Sequence, residues 1–174
     1  MENRPLSLIL IPVAPTRNPG AKNGNLETQA TGYILETGVD NIFGAKGNDQ
    51  LTGDQNANLL AGRLGRDRLE GLGGNDTLEG GGGNDRLIGG AGRDLLKGGA
   101  GADRFEFAKK AGIDRIEGFK QGEDKLRILS GDEKLGDLGI QTKNGNLVVN
   151  HDGGQVTLLG QGGITLTVDD VLFS

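Results

Sequence analysis

Between Leu35 and Glu106 one apolar side chain returns every ninth residue, with non-core positions on both sides of it: Ile42, Leu51, Leu60, Leu69, Leu78, Leu87, Leu96 and Phe105. These positions divide the segment into eight nonapeptides that follow one another without insertion: LETGVDNIF (35–43), GAKGNDQLT (44–52), GDQNANLLA (53–61), GRLGRDRLE (62–70), GLGGNDTLE (71–79), GGGGNDRLI (80–88), GGAGRDLLK (89–97) and GGAGADRFE (98–106). One inward residue between two outward ones predicts a short strand. The six residues between strands are rich in Gly, Asn and Asp, which predicts a tight turn with positive-φ positions. A period this short and regular predicts a solenoid. Strand, turn, strand, turn closes a flattened right-handed coil with two nonapeptides per circuit. Turns n and n+2 then stack on the same edge, about 5 Å apart. The expected fold is all-β: a right-handed parallel β-roll of eight nonapeptide repeats, closed at its C-terminal end by β-hairpins.

The ends of the chain lack this period. Residues 1–34 are read as an N-terminal capping flank, 35–106 as the roll and 107–174 as a C-terminal β cap. LSLILIPVA (6–14) predicts a strand over the first coil. A secretory signal fits it less well, because Glu2 offsets Arg4 and no clean small-residue cleavage site follows. Residues 15–31 are polar and read as loop. Beyond the roll, IDRIEGF (113–119) and DKLRIL (124–129) alternate apolar and polar residues. LVVNH (147–151) and QVTLLG (155–160) flank Asp152, Gly153 and Gly154, a hairpin pattern, and Lys143-Asn144-Gly145-Asn146 predicts a further turn. ITLTV (164–168) is the expected last strand. No stretch approaches the roughly 20 apolar residues that span a membrane.

The sixth position of the nonapeptide carries the chemistry. It reads Asp40, Asp49, Asn58, Asp67, Asp76, Asp85, Asp94 and Asp103. Stacked turns bring these carboxylates together, and two of them about 5 Å apart repel by roughly 3 kcal/mol at an effective dielectric near 20. A positive charge between the turns would remove that cost. The turns offer only oxygen, from carboxylates and from Gly carbonyls bared by missing side chains. Cys is absent and the one His, His151, lies outside the repeats. An all-oxygen site of six or so ligands fits calcium and does not fit zinc or copper.

These nonapeptides resemble the GGxGxDxUx repeats of RTX proteins, a calcium-binding pattern, and GGAGADRFEF (98–107) is especially similar to the family's last repeat. The resemblance implies Ca2+ between same-edge turns. The ligands would be position 6 Asp and alternate carbonyls from positions 1 to 4. Carried onto this sequence, the best pairs are Asp67 with Asp85, Asp76 with Asp94 and Asp85 with Asp103, with Asp49 and Asp67 as a fourth. The backbone donors would come from Gly62, Gly65, Gly74, Gly80, Gly81, Gly83, Gly89, Gly90, Gly92, Gly98, Gly99 and Gly101. Asn56 and Asn58 break the pattern in the third repeat, so pairs through that turn with Asp40 or Asp76 are expected to bind weakly. About four ions are expected, up to six. The flank after the last repeat resembles the D-R-I-x-x-F segment and closing hairpins of the family. The tail Asp169-Asp170-Val171-Leu172-Phe173-Ser174 resembles the acidic-then-apolar terminus of substrates of bacterial type I secretion.

Composition agrees with a thin roll. Gly makes up 34 of 174 residues, far above the usual ~7%. Burying one apolar side chain per nonapeptide falls short of the cost of ordering nine backbone residues, about 1–2 kcal/mol each. The roll is therefore expected to fold only on binding calcium. Extracellular calcium modules bind in the range of roughly 10⁻⁴–10⁻³ M, above cytosolic supply; with the family resemblance this favours a secreted or cell-surface bacterial protein, and the resemblance of the tail implies export by a type I system. The formal net charge of −5 counts bare carboxylates, and bound divalent ions would reverse its sign.

Neither an H-E-x-x-H motif, a G-x-S-x-G elbow nor a G-x-x-x-x-G-K-[ST] loop occurs in the sequence. Asp-bearing turns would repel phosphate and nucleic acid. The chain is read as no enzyme, with His151 structural, and as a monomer. Positions 7 and 9 of the nonapeptide point outward. On one sheet Arg68, Arg86 and Arg104 fall in a ladder that could meet an anionic polysaccharide or cell-surface polymer, with Glu70 and Glu106 beside it as partial neutralisers. Two function classes follow: a secreted structural calcium-binding protein, or a C-terminal accessory module that serves secretion, folding or polysaccharide binding by a larger extracellular enzyme.

Overall fold

The computed structural model describes residues 41–129, 131, 134–152 and 154–173. It also describes the backbone of three short strands, Thr16–Arg17 (β1), Asn25–Glu27 (β2) and Tyr33–Leu35 (β3). Through the nonapeptides run β4 (Asn41–Phe43), β5 (Gln50–Thr52), β6 (Leu59–Leu64), β7 (Arg68–Gly74), β8 (Thr77–Gly82), β9 (Arg86–Gly92), β10 (Leu95–Ala100) and β11 (Arg104–Ala108). Each pairs in parallel with the strand two places on. Ile42, Leu60, Leu78 and Leu96 stack in register on one sheet. Leu51, Leu69, Leu87 and Phe105 stack on the other. All eight are fully buried. This is the all-β parallel roll that the nine-residue period predicts, with one apolar side chain per strand forming its core.

Parallel pairing continues on both sides of the array. Upstream, β2 pairs with β4 and β3 with β5. The polar stretch 15–31, expected as loop, thus contains β1 and β2. A strand this short needs one apolar residue, and Leu26 falls in register with Ile42. The segment 6–14 lies outside the described residues.

Downstream, β12 (Gly112–Glu117) and β13 (Lys125–Leu129) add a further strand to each sheet, with Leu96 opposite Ile116 and Phe105 opposite Leu126. The chain then passes a 3₁₀ turn (Leu135–Asp137) and forms β14 (Gly139–Lys143), β15 (Asn146–His151), β16 (Gly154–Leu158) and β17 (Val171–Phe173). β14–β15–β16 is an antiparallel meander. Its first turn is Asn144-Gly145, with φ of 52° and 74°, the two positive values that a two-residue hairpin of type I′ requires. β16 and β17 return to the roll as parallel neighbours of β12 and β13.

ITLTV (164–168) is not the last strand. The Thr167 N–H and hydroxyl both donate to Asp170 Oδ2 at 2.9 Å, and the Asp170 N–H donates to the Thr167 carbonyl at 3.0 Å. These bonds close a turn, and the strand begins only at Val171.

Two nonapeptides place a bulky residue where the three that follow them have Gly. Arg63 and Leu72 adopt φ of 80° and 77°, matching Gly81, Gly90 and Gly99 at the same repeat position. An L-residue pays about 1–2 kcal/mol there, and Gly forgoes about 0.5–1 kcal/mol of chain entropy. Leu72 is exposed, so Leu72→Gly is expected to stabilise the folded protein by about 0.5–1 kcal/mol in denaturant titrations. A destabilisation would show that Leu72 is held by packing rather than strained.

Candidate metal centre

The turns between strands set position 6 inward along each edge of the roll. Asp49, Asp67, Asp85 and Asp103 line one edge; Asn58, Asp76 and Asp94 line the other. All are buried. From Asp67 on, each acidic residue uses one oxygen to hold the coil before it. Asp67 Oδ1 accepts the Asp49 N–H at 2.7 Å, and Asp85 Oδ1 accepts the Asp67 N–H at 2.8 Å. Asp103 Oδ1 accepts from Asp85 at 2.9 Å, and Asp76 and Asp94 hold Asn58 and Asp76 in the same way at 2.8 Å. Turns n and n+2 are therefore stacked neighbours, as the period implies. Asp40 lies outside the described residues.

The second oxygen is different. Oδ2 of Asp67, Asp76, Asp85, Asp94 and Asp103 is buried and has no hydrogen-bond partner. A buried charged oxygen left bare is costly. Burial accordingly pushes Asp76 up to about 7 and Asp85 and Asp103 up to about 6, and raises Asp67 and Asp94. The N–H of the preceding turn draws each partly back. A facing carboxylate adds to the rise at Asp76, Asp85 and Asp67.

The glycines leave the space that these oxygens face. A Cβ on Gly80 would lie 2.7 Å from the Gly98 carbonyl oxygen and would collide with Asp85 Oδ2. The missing side chain thus bares a cradle with a carboxylate oxygen on one wall and a carbonyl of the next turn on another. Gly62 repeats this with Asp67 and the Gly80 carbonyl, and Gly71 with Asp76 and the Gly89 carbonyl. Position 4 is tied to stacking: Gly83 has φ of 129° and any Cβ would run into the Gly65 carbonyl. Gly62, Gly65, Gly80, Gly81, Gly83, Gly98, Gly99 and Gly101 border the first edge; Gly74, Gly89, Gly90 and Gly92 border the second.

Among the described residues no three His, Cys, Asp or Glu side chains converge on one point. A cation in these gaps would take its remaining ligands from the backbone. Hard oxygen donors, at most two of them carboxylates, suit Ca2+, which accepts six to eight oxygens in irregular geometry. The donor set fits that ion.

Sequence reading missed two carboxylates of the same kind. Asp114 Oδ1 accepts the Asp94 N–H at 3.0 Å, and Asp124 Oδ1 accepts the Asp103 N–H at 2.9 Å. The signal was present: KKAGIDRIE (109–117) and FKQGEDKLR (119–127) keep Gly at position 4, Asp at 6 and an apolar residue at 8. Phe107-Ala108 and then Gly118 interrupt the phase. Position 5 Asn was also overlooked. Oδ1 of Asn48, Asn75 and Asn84 accepts the N–H of Arg66, Arg93 and Ala102 in the next stacked turn, at 2.8, 3.0 and 3.0 Å.

On the outer face Arg68, Arg86 and Arg104 stack in register, and Lys125 continues the ladder. Arg68 pairs with Glu70, and Arg86 binds Glu106 at 2.6 Å. Glu106 is not at the solvent surface as its outward position suggested. It is 3% exposed, held between Arg86 and Arg127. Arg104 is exposed. His151 is buried, with its ring 6.0 Å from that of Phe107.

The structure is thus a parallel β-roll with oxygen-lined gaps along both edges. Residues 36–69 and 70–105 match the family model of the RTX calcium-binding nonapeptide repeat. The match takes in the nonapeptide array almost from end to end. A comparison with curated proteins returns no match. Among solved structures, the extracellular lipase LipA of Serratia marcescens shares the fold over 80% of this chain, at 19% identity and a TM-score of 0.52. The chain spans 41% of that lipase's length. The AlgE6R3 subunit of the Azotobacter vinelandii mannuronan C5-epimerase is 28% identical over 74% of this chain and 80% of its own, with a TM-score of 0.39. The AlgE6R2 subunit is 27% identical over 74% and 92%, with a TM-score of 0.38.

Proposed function

We propose that this is a secreted, non-catalytic calcium-binding protein whose roll closes when Ca2+ enters the gaps between same-edge turns, and that it has a structural or surface-binding role outside the cell. The observation that carries this reading is the row of buried carboxylate oxygens without a hydrogen-bond partner. Each faces a cradle that a Cβ would fill. Bound calcium would supply the positive charge these oxygens lack. The residues of the chain do the rest: Oδ1 ties coil to coil, Oδ2 and the Gly carbonyls present the site, and the apolar column excludes water. Ligands are Asp67, Asp76, Asp85, Asp94 and Asp103 with the position 1 to 4 carbonyls around them, for about four ions.

Calcium need at extracellular levels favours export, and the acidic-then-apolar tail 169–174 supports a type I system of a bacterium; the protein acts as a monomer. No described helix is long and apolar enough to cross a membrane. Carboxylate-lined edges disfavour nucleic acid. The Arg68–Arg86–Arg104 ladder favours a second reading, an accessory module that helps a larger extracellular enzyme hold an anionic polysaccharide. Glu70 and Glu106 already engage two of its three guanidinium groups, which places this reading second.

Calcium content after equilibrium dialysis tests the first reading. Asp85 serves two gaps, toward Asp67 and toward Asp103, so Asp85→Ala is expected to lose two ions per chain where a variant of a non-shared Asp loses one. An unchanged calcium content in Asp85→Ala would remove the basis for placing metal between these turns.

A further inference from the structure

The turns fall into two kinds, and the residue at position 2 separates them. Before Asp67, Asp76, Asp85, Asp94, Asp103 and Asp114, position 2 has a positive φ: 80° at Arg63, 77° at Leu72, 108° at Gly81, 102° at Gly90, 109° at Gly99 and 65° at Lys110. In each of these six turns Oδ2 of the Asp is buried and lacks a partner. Ala45, Asp54 and Lys120 occupy position 2 without a positive φ. There the position 2 N–H turns back onto its own turn's position 6 side chain. It donates to Asp49 Oδ2 at 2.9 Å, to Asn58 Oδ1 at 2.8 Å and to Asp124 Oδ2 at 2.9 Å. A turn of the first kind presents a bare oxygen; a turn of the second kind has already satisfied it.

A cation between two turns needs bare oxygens on both sides. Asp67/Asp85, Asp85/Asp103 and Asp76/Asp94 meet this condition inside the array. Asp94/Asp114 meets it across the end of the array: Asp114 is 1% exposed, and Oδ2 of both residues is orphaned. The equivalent gap on the opposite edge does not. Asp124 has both oxygens occupied, by the N–H groups of Asp103 and Lys120. The Lys120 ammonium also binds the Gly99 carbonyl at 2.9 Å, within the turn that carries Asp103. The mouth of that gap thus carries a cation of the chain's own, a half-exposed ammonium that also pairs with Glu123 at 3.7 Å. Asp49/Asp67 fails the condition as well, because the Ala45 N–H occupies Asp49 Oδ2.

We propose that Asp94 and Asp114 form a divalent-cation site beyond the nonapeptide array, and that the matching gap between Asp103 and Asp124 is closed by Lys120 and takes no ion. This rests on the calcium reading above and adds to it which gaps are filled. The roll then ends in a metal ion on one edge and an ammonium on the other.

The test compares the calcium content of the full chain with that of Asp114→Asn and Asp124→Asn after equilibrium dialysis. Asn keeps an oxygen for the N–H of the preceding turn and removes the charge. Asp114→Asn is expected to bind one ion fewer than the unmutated chain, and Asp124→Asn the same number. Equal content in Asp114→Asn, or one ion lost in Asp124→Asn, overturns the assignment. Should Asp114→Asn fail to fold, anomalous density from calcium in crystals of the unmutated chain decides. A peak between Asp94 and Asp114 supports the site; its absence, or a peak between Asp103 and Asp124, overturns it. An unmutated chain that binds no calcium at all overturns the parent reading and this site with it, whereas a chain that binds calcium at every gap but this one sinks the site alone.

Discussion

Stripping calcium from the protein near neutral pH is expected to abolish most of its β-strand signal in far-ultraviolet circular dichroism, and re-adding calcium to restore it in one cooperative step. The expectation follows from the balance inside each turn. Asp67, Asp76, Asp85, Asp94, Asp103 and Asp114 each bury an oxygen with no partner, while each strand of the array adds one core side chain. A ligand that binds only the folded chain stabilises it by about 2.7 kcal/mol per site at a hundredfold excess over Kd. A few such sites match the 5–15 kcal/mol by which whole domains are stable. Magnesium should not substitute, because it demands regular octahedral geometry and gives up its waters reluctantly. A chelated protein that kept its strand signal and its melting temperature would show that the apolar columns suffice alone.

The second large effect is on pH, and its direction is opposite to that of most acidic proteins. In the metal-free chain the folded-state carboxylates titrate above the usual carboxylate range: Asp76 and Asp114 at about 7, Asp85 and Asp103 at about 6, with Asp67, Asp94 and Asp124 also raised. Burial is the first cause throughout. Between those values and the unfolded one, the folded chain holds more protons than the unfolded chain, so stability falls as pH rises. The contribution is complete below the unfolded value and lost as pH passes through 6 to 7. Protons thus stand in for calcium. Metal-free protein is expected to show more strand at about pH 5 than at about pH 8, and calcium affinity to climb over the same interval as protons leave.

A lower limit comes from Asp170. Burial would raise it, but hydrogen bonds from Thr167, Gly122 and Gln121 hold it below its usual range. Its support is lost as pH falls through that lowered value. Metal-free protein that is better ordered at the alkaline end would mean that the buried oxygens carry little of the energetics.

The legible part of this fold was the part in phase. One apolar residue in nine fixes strand, face and register together, so Leu60 opposite Leu78 and Asp67 above Asp85 follow from counting. Phase also explains what stayed hidden. Phe107-Ala108 and Gly118 shift the count, and with it Asp114 and Asp124, although the coil itself continues. Other features depended on backbone angles or on distant neighbours. The capping of Asp49 by the Ala45 N–H turns on one dihedral that the sequence GAKGND does not disclose. Glu106 is buried by Arg86 and Arg127, which sit on the strands either side of its own. The turn at Thr167–Asp170 overrode the β-branched run of ITLTV through three hydrogen bonds.

The carboxylate Oδ1 bonds between circuits all point one way, opposite to those of Asn48, Asn75 and Asn84. Each amide is gripped by the carboxylate of the circuit that follows it, from Asp49 held by Asp67 to Asp103 held by Asp124. Each winding takes its carboxylate clasp from the winding after it. The terminal clasp, around Asp124, has its own second bond from the Lys120 N–H, and Phe119 just before it sets its ring at a tilt to that of Phe105, 6.2 Å away. The carboxylate rows are therefore polar along the roll axis, each circuit of the array secured by the one that follows it.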